Sequence, residues 1–369
     1  MPTKQAVEYH TVSNIVWGVN QILALLLPMV FLISGLGTRI SFKTLRYGKY
    51  LTFALIAATL FVLNALIRLP LERIRTNKLS QTRSVAAEPL LQWIPGQVLE
   101  SLPSVVLATV AAVLVFWLIN RSPKRWWLWT AIGFSALSLV VLVGEPLFTG
   151  HKPIGRTPIE SRVVEFAGRV GIPKDSIALE TCEPVDSCVD AHVVGLGPTR
   201  LILLNEGLLR SRPESWTLQT FAHESKHFVM DDNLTGWVVL TFIFLVFFLA
   251  ADLVCRVALR RFSVRLGFDS IAQAAAMPLL VLVLSIVYLI ALPPINLFRQ
   301  HVEFEADRYG LELTGNGEVL GEMVSSWTTT STFRVPEPSP FFMLFRSSHP
   351  SDASRIAFAN EFRPKRAAE

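Results

Sequence analysis

The chain has 369 residues, of which 51% are hydrophobic and only 17% charged, with a mean hydropathy of +0.44. Soluble domains carry about 25% charge, so an ordinary water-soluble protein is excluded, and so is a disordered chain. The net charge of +5 does not mark a nucleic-acid binder, because the cations fall in short clusters between long apolar runs rather than on one basic face.

Six stretches contain no Asp, Glu, Lys or Arg: 11–38, 50–67, 101–120, 126–144, 233–251 and 270–298. About 20 helical residues cross a hydrocarbon core, so each is expected to span a membrane. The first is long, weakly flanked by cations and soon followed by a second span, so it reads as a retained helix rather than a signal peptide. Asp252 and Arg256, four apart at the end of the fifth span, are expected to pair near the membrane edge. The few polar residues within spans, such as Asn20, Gln21 and Asn64, fit helix–helix hydrogen bonding better than a transport path.

Four spans thus form an N-terminal membrane region, 1–148. A first soluble segment, 149–234, is followed by a transmembrane hairpin, 235–298, and a second soluble segment, 299–369. The hairpin returns the chain to the side it left, so both soluble segments are expected to build one mixed α/β domain. Within it, 158–170 has helical periodicity after Pro158, and 191–195 and 200–205 read as two strands around Gly-Leu-Gly-Pro. Residues 214–231 read as a helix opening after Pro213.

That helix holds Phe221-Ala222-His223-Glu224-Ser225-Lys226-His227. Histidines at i and i+4 share one helical face, so both imidazoles can reach one Zn²⁺, with Glu224 placed as general base toward a metal-bound water. The bland alternative is a solvated helix with two incidental histidines. A catalytic zinc needs a third protein ligand, and the position ten residues after the first histidine is Asn233, so the ligand must come from elsewhere. After the last span, His301, Glu303 and Glu305 compete. Glu303 and Asp307 share a helix face, which favours Glu303 on the metal and Asp307 as acceptor for a ligand histidine.

Several stretches together resemble the CAAX prenyl protease 1 type of membrane zinc metallopeptidases. They are FAHESKH, the later VEFEADRYG with its Glu-x-x-x-Asp, DAHVVGLGPTRLILLNEGLL before the metal helix, SHPSDASRI near the end, and the approach EPLF…PIESRVVEFAGRVGIP. The resemblance covers most of the chain. Joined to the six spans read from composition, it implies a predominantly α-helical multi-pass membrane protein with a mixed α/β zincin-like metallopeptidase domain assembled from the two soluble segments. It implies that His223, His227 and Glu303 bind one Zn²⁺ per chain, that Glu224 is the catalytic base, and that Asp307 orients a ligand histidine. Ala191, His192 and Val193 become an edge strand that holds an extended substrate, and His349 and Arg355 become groups steadying the site and the oxyanion. Their plain alternatives are a loop histidine and a surface cation. Three departures stand out: Lys226 where relatives usually have Gly, Asp190-Ala191 where they have Asn-Ala, and one span fewer than the family's count.

The expected partners are a peptide or protein substrate, membrane-associated or not, and the lipid bilayer, with no nucleic acid. Two rivals remain at this level: a heat-shock-type quality-control endopeptidase, and a catalytically silent scaffold that keeps the fold. Loops 39–49, 121–125 and 252–269 are rich in Lys and Arg, and the positive-inside rule makes their face cytoplasmic. In a bacterial-type cytoplasmic membrane the soluble domain then lies outside, although loop 68–83 is basic too and the relatives keep this domain inside. Cys182 and Cys188 flank a short acidic loop, where an oxidising compartment allows a disulfide; two unpaired thiols are the alternative.

Overall fold

The computed structural model describes residues 2–181, 188–330 and 333–363 of the chain. In chain order its elements are α1 (Lys4–Ile33), α2 (Leu36–Thr44), α3 (Lys49–Thr82), α4 (Leu90–Arg121), α5 (Trp126–Phe148), β1 (His151–Pro153), α6 (Pro158–Arg169), β2 (Ile177–Glu180), β3 (Ala191–Val194), β4 (Leu201–Asn205), α7 (Glu206–Ser211), α8 (Glu214–Val229), α9 (Asp232–Leu266), α10 (Met277–Thr314), α11 (Gly317–Thr330), α12 (Pro340–Phe345) and α13 (Asp352–Glu361). Among the described residues six helices are long and apolar enough to cross a membrane, namely α1, α3, α4, α5, α9 and α10 with its lead-in turn. Each corresponds to one charge-free stretch.

The helices outrun those stretches. Residues 68–82, read as loop from their charge, continue α3, and the connection to α4 shrinks to 83–89. The reason is pairing of the polar residues along the extension. Asn20 Nδ2 donates to Glu72 Oε1 at 3.3 Å, Arg75 Nε donates to Glu72 Oε2 at 2.7 Å, and Lys78 reaches Glu8. In the same way α10 carries on to Thr314 as one helix.

Contacts divide the chain into two compact units. One comprises residues 3–134 and 242–292. Its core joins Phe31, Phe53, Ile56, Leu60, Phe116, Ile119, Trp126, Phe248 and Met277. Its outer face is apolar as well: Ile33 is 81% exposed, Leu107 67% and Phe242 66%, a surface suited to hydrocarbon rather than water. Asp252 is the exception inside it. The expected pair with Arg256 forms at 2.7 Å, and Trp126 Nε1 donates to the other oxygen at 2.7 Å. The carboxylate is therefore buried and doubly bonded rather than lying free at an interface, which a charge in an apolar helix requires.

The second unit comprises residues 1–2, 135–241 and 293–369. Its sheet has the order β1-β2-β4-β3, with β2 and β4 parallel and the outer pairs antiparallel. Strand periodicity sorts its side chains: Ile177, Leu179, Ile202 and Leu204 pack with Val163 and Ala167 of α6 and Phe221 of α8. Ala178, Val194 and Leu203 cluster separately, as alternation across a strand dictates. Leu311, Leu320, Met323, Val324 and Ala359 draw α10, α11 and α13 together.

Helix α6 begins as the sequence suggests, with Pro158 in its first turn. The Thr157 hydroxyl donates to Glu160 Oε1 at 2.9 Å, and Glu160 Oε2 accepts from the Gly155 and Arg156 amides at 2.8 Å. Both amides belong to the loop before the N-cap Thr157, so Glu160 ties that loop to the first turn of the helix. Glu160→Ala is expected to cost about 1–2 kcal/mol, seen as a lowered Tm of the detergent-solubilised protein.

Candidate metal centre

Helix α8 opens after Pro213 and places His223 and His227 one turn apart on one face, as the i, i+4 spacing requires. Helix α10 brings Glu303 against them. Ligand atoms of His223, His227 and Glu303 all lie within 4.8 Å of one another, the single such group of His, Cys, Asp and Glu among the described residues. His223 Nε2 is 3.4 Å from His227 Nε2 and 3.3 Å from Glu303 Oε2. Ligands about 2.0–2.1 Å from a tetrahedral zinc sit about 3.3–3.4 Å apart, so these two separations from His223 are those that a zinc ion needs. Of the three competitors on α10, His301 is exposed and Glu305 pairs with Arg308 at 3.1 Å.

Behind each histidine stands an aspartate. His223 Nδ1 is 3.0 Å from Asp307 Oδ1, and His227 Nδ1 is 2.6 Å from Asp232 Oδ2. With Nδ1 donating, each ring presents Nε2 as a lone-pair donor to the shared centre. Burial lowers the affinity of the His223 imidazole for a proton, yet the hydrogen bonds to Asp307 and Glu303 outweigh it and push its pKa up to about 10. The carboxylates that hold this proton favour a cation here, and a metal ion at Nε2 would take the place of that proton.

Glu224, between the histidines, is buried. Desolvation pushes its pKa up to about 7, against the opposing pull of His223 and His227. Burial thus keeps this carboxyl a better proton acceptor than an exposed glutamate.

Arg355, from the SHPSDASRI stretch, is 7% exposed. Its guanidinium forks onto Asp307, Nε to Oδ2 at 2.7 Å and Nη2 to Oδ1 at 2.6 Å. It lies over the Trp327 ring, 5.2 Å from the centroid. Arg355 is therefore not the surface cation of the plain alternative. The two bonds aim it at Asp307, which differs from a group directed at an oxyanion. His349 is nearer the centre, with Nε2 3.4 Å from Glu303 Oε2 and Nδ1 2.9 Å from Ser348 Oγ.

Strand β3, carrying Ala191, His192 and Val193, is an edge of the sheet, pairing among the described residues with β4 alone. The Asn205 amide donates to the Asp190 carbonyl at 3.0 Å. In this register Asp190, His192 and Val194 are hydrogen-bonded to β4, and the backbone groups of Ala191 and Val193 face outward. Two of those are taken: the Ala191 amide by Asp190 Oδ1 at 2.9 Å, and the Val193 carbonyl by Asn233 Nδ2 at 3.3 Å. The Ala191 carbonyl and the Val193 amide are left facing the edge. Asn233 also holds the Gly195 carbonyl at 2.9 Å, so it braces the edge strand. Cys182 lies outside the described residues, and so does its pairing with Cys188.

The motif spacing does not single out Asp232 or Asn233 as site residues. The signal for Asp232 was its position five residues beyond His227, just after a helix break. The packing that assembles the centre depends on Gly310 of α10. A Cβ there would lie 3.0 Å from Gln219 Nε2 and 3.2 Å from the His223 amide nitrogen. Gly310→Val is expected to push α10 from α8, to cost about 1–3 kcal/mol, and to lower the metal content of the purified protein by metal analysis.

The comparisons with known proteins agree with one another. The family model described as peptidase family M48 matches residues 154–363. Another, described as CAAX prenyl protease N-terminal, five membrane helices, matches residues 3–149; there this chain has four long apolar helices and the short α2. The chain is 27% identical over 370 residues to the uncharacterized metalloprotease YhfN of Bacillus subtilis (strain 168), covering 98% of this chain and 86% of that one. It is 24% identical over 230 residues to a CAAX prenyl protease 1 homolog of Dictyostelium discoideum, covering 60% of this chain and 53% of that one. The crystal structure of S. mikatae Ste24p has the same fold, with a TM-score of 0.73 at 16% identity, over 98% of this chain and 92% of that one.

Proposed function

Because the chain belongs to peptidase family M48, we propose that it is a zinc endopeptidase whose centre is held by His223, His227 and Glu303, with Glu224 as general base. It is an integral, multi-pass membrane protein and a metallopeptidase. The observation that carries the finer reading is the convergence of two imidazole nitrogens and one carboxylate within 4.8 Å of one another, with the buried Glu224 on the same helix as the histidines. When bound, zinc supplies Lewis acidity, which polarises the scissile carbonyl and acidifies a water.

The chain's own residues do the rest. Glu224 accepts the proton of the attacking water and returns it to the leaving amine. The outward Ala191 carbonyl and Val193 amide pair with an extended substrate, a strand-addition mode in which backbone bonds fix the register. His349, beside Glu303, is placed to donate to the developing oxyanion. Arg355 acts through Asp307 as a positioning residue for His223. The peptidase domain is read as built from both soluble segments, 149–234 and 299–369, and the basic segments 39–49, 121–125 and 252–269, the last lying mostly within α9, support an extracytoplasmic side in a bacterial-type membrane.

The test is hydrolysis of a quenched peptide pool by detergent-purified protein, with and without a chelator, beside metal analysis. The pool includes a farnesylated CAAX peptide and its unmodified twin, since one relative bears the name of a CAAX prenyl protease 1 homolog. Chelator-sensitive cleavage restored by zinc, with one zinc per chain, is expected. A chain that binds no zinc would sink the reading.

A further inference from the structure

The two ligand histidines are backed in parallel ways. His223 bonds Asp307, and Asp307 is held by the buried cation Arg355. His227 bonds Asp232, and Asp232 Oδ2 is held in turn by Lys226 Nζ at 2.7 Å. Lys226 is buried, 9% exposed, although it sits in the motif itself. Its ammonium also reaches the Val302 carbonyl at 3.5 Å, next to Glu303 on α10. One residue thus touches the first residue of α9 and the backbone beside the third ligand.

The local geometry explains how Asp232 comes back onto His227. Helix α8 ends at Val229, and Asp231 adopts φ 53°, a left-handed conformation that aspartate accepts more readily than most residues. Arg200 steadies that turn by donating to the Phe228 carbonyl at 2.6 Å and pairing with Asp231 at 3.4 Å. A carboxylate as enclosed as Asp232 is costly unless paired, and Lys226 supplies the pair without displacing the histidine.

We propose that Asp232 and Lys226 are a positioning couple for His227, the counterpart of Asp307 and Arg355 for His223, and that Lys226 acts on the metal centre through Asp232. Asp232 fixes the ring orientation and the tautomer that presents Nε2. Lys226 fixes Asp232 and, through the Val302 carbonyl, keeps it in register with Glu303. The inference rests on the reading of His223, His227 and Glu303 as metal ligands.

Zinc affinity of the full-length protein in detergent, measured by competition with a chromogenic chelator, tests it without any turnover. Asp232→Ala is expected to bind zinc about 10–100-fold more weakly, as removal of a histidine's partner does elsewhere. Lys226→Met alone is expected to weaken binding several-fold, and to add nothing on the Asp232→Ala background. Wild-type affinity in Asp232→Ala overturns the proposal. So does an undiminished Lys226→Met loss on the Asp232→Ala background, because Lys226 then acts independently of Asp232. Where Lys226→Met does not yield a monodisperse protein, Lys226→Gln is read by the same cycle. A wild-type chain without zinc affinity overturns the underlying reading of the site, an outcome distinct from an unchanged Asp232→Ala.

Discussion

Glu224→Gln is expected to leave zinc bound and to lower peptide cleavage by about 10²–10⁴-fold, the range associated with loss of a positioned general base. Glutamine matches glutamate in size and keeps a carbonyl oxygen, so α8 and its two histidines are undisturbed. What it removes is proton acceptance at a site where burial has pushed the carboxyl up to about 7. Because a desolvated carboxylate is also removed, Tm is expected to stay level or rise. Turnover of a quenched peptide, read beside zinc content and Tm, is the check. Cleavage at the wild-type rate with zinc bound would take the base role from Glu224, and lost zinc would reveal a metal-holding role instead.

Arg355→Met is expected to act on the metal and on stability together. The guanidinium is buried and forks onto Asp307, which is fully buried. Removing one member of such a pair leaves an uncompensated charge and costs about 3–5 kcal/mol. Asp307 then has reason to leave His223, and zinc affinity is expected to fall about 10–100-fold. Adding Asp307→Asn to Arg355→Met removes the stranded charge, so Tm is expected to recover in part while zinc affinity stays low. A direct oxyanion role predicts the opposite pattern: a large fall in kcat with zinc affinity and Tm unchanged. Tm and chelator competition on the three proteins separate the two.

What could be read without coordinates follows the range of the interactions. The six spans are runs of local composition, and all six appear as helices. The extent of α3 was misread because Arg68, Glu72, Arg75 and Lys78 look like loop residues until their partners on α1 are known. The strand pair around Gly195 and Gly197 was legible because short aliphatic runs flank a turn. That β3 is the outer strand of four was not, since sheet order depends on β1 and β2 as well.

The candidate centre divides in the same way. His223, Glu224 and His227 lie within five residues, and helical periodicity alone puts the two imidazoles on one face. By itself the sequence determined that much, together with the membrane-crossing helices and the place where a third ligand had to be sought. Periodicity favoured Glu303 over His301 and Glu305 only through its spacing to Asp307, because the choice itself depends on which face α10 turns to α8, and Gly310 sets how closely they meet. Nor could it show Arg355 turned to Asp307, or Asp232 and Lys226 behind His227. The first is a contact across 48 residues, and the second depends on a left-handed turn at Asp231. Periodicity arises from bonds between near neighbours and is written in residue order, whereas the partners of a buried charge are chosen by how helices pack and chains turn, which only the tertiary structure decides.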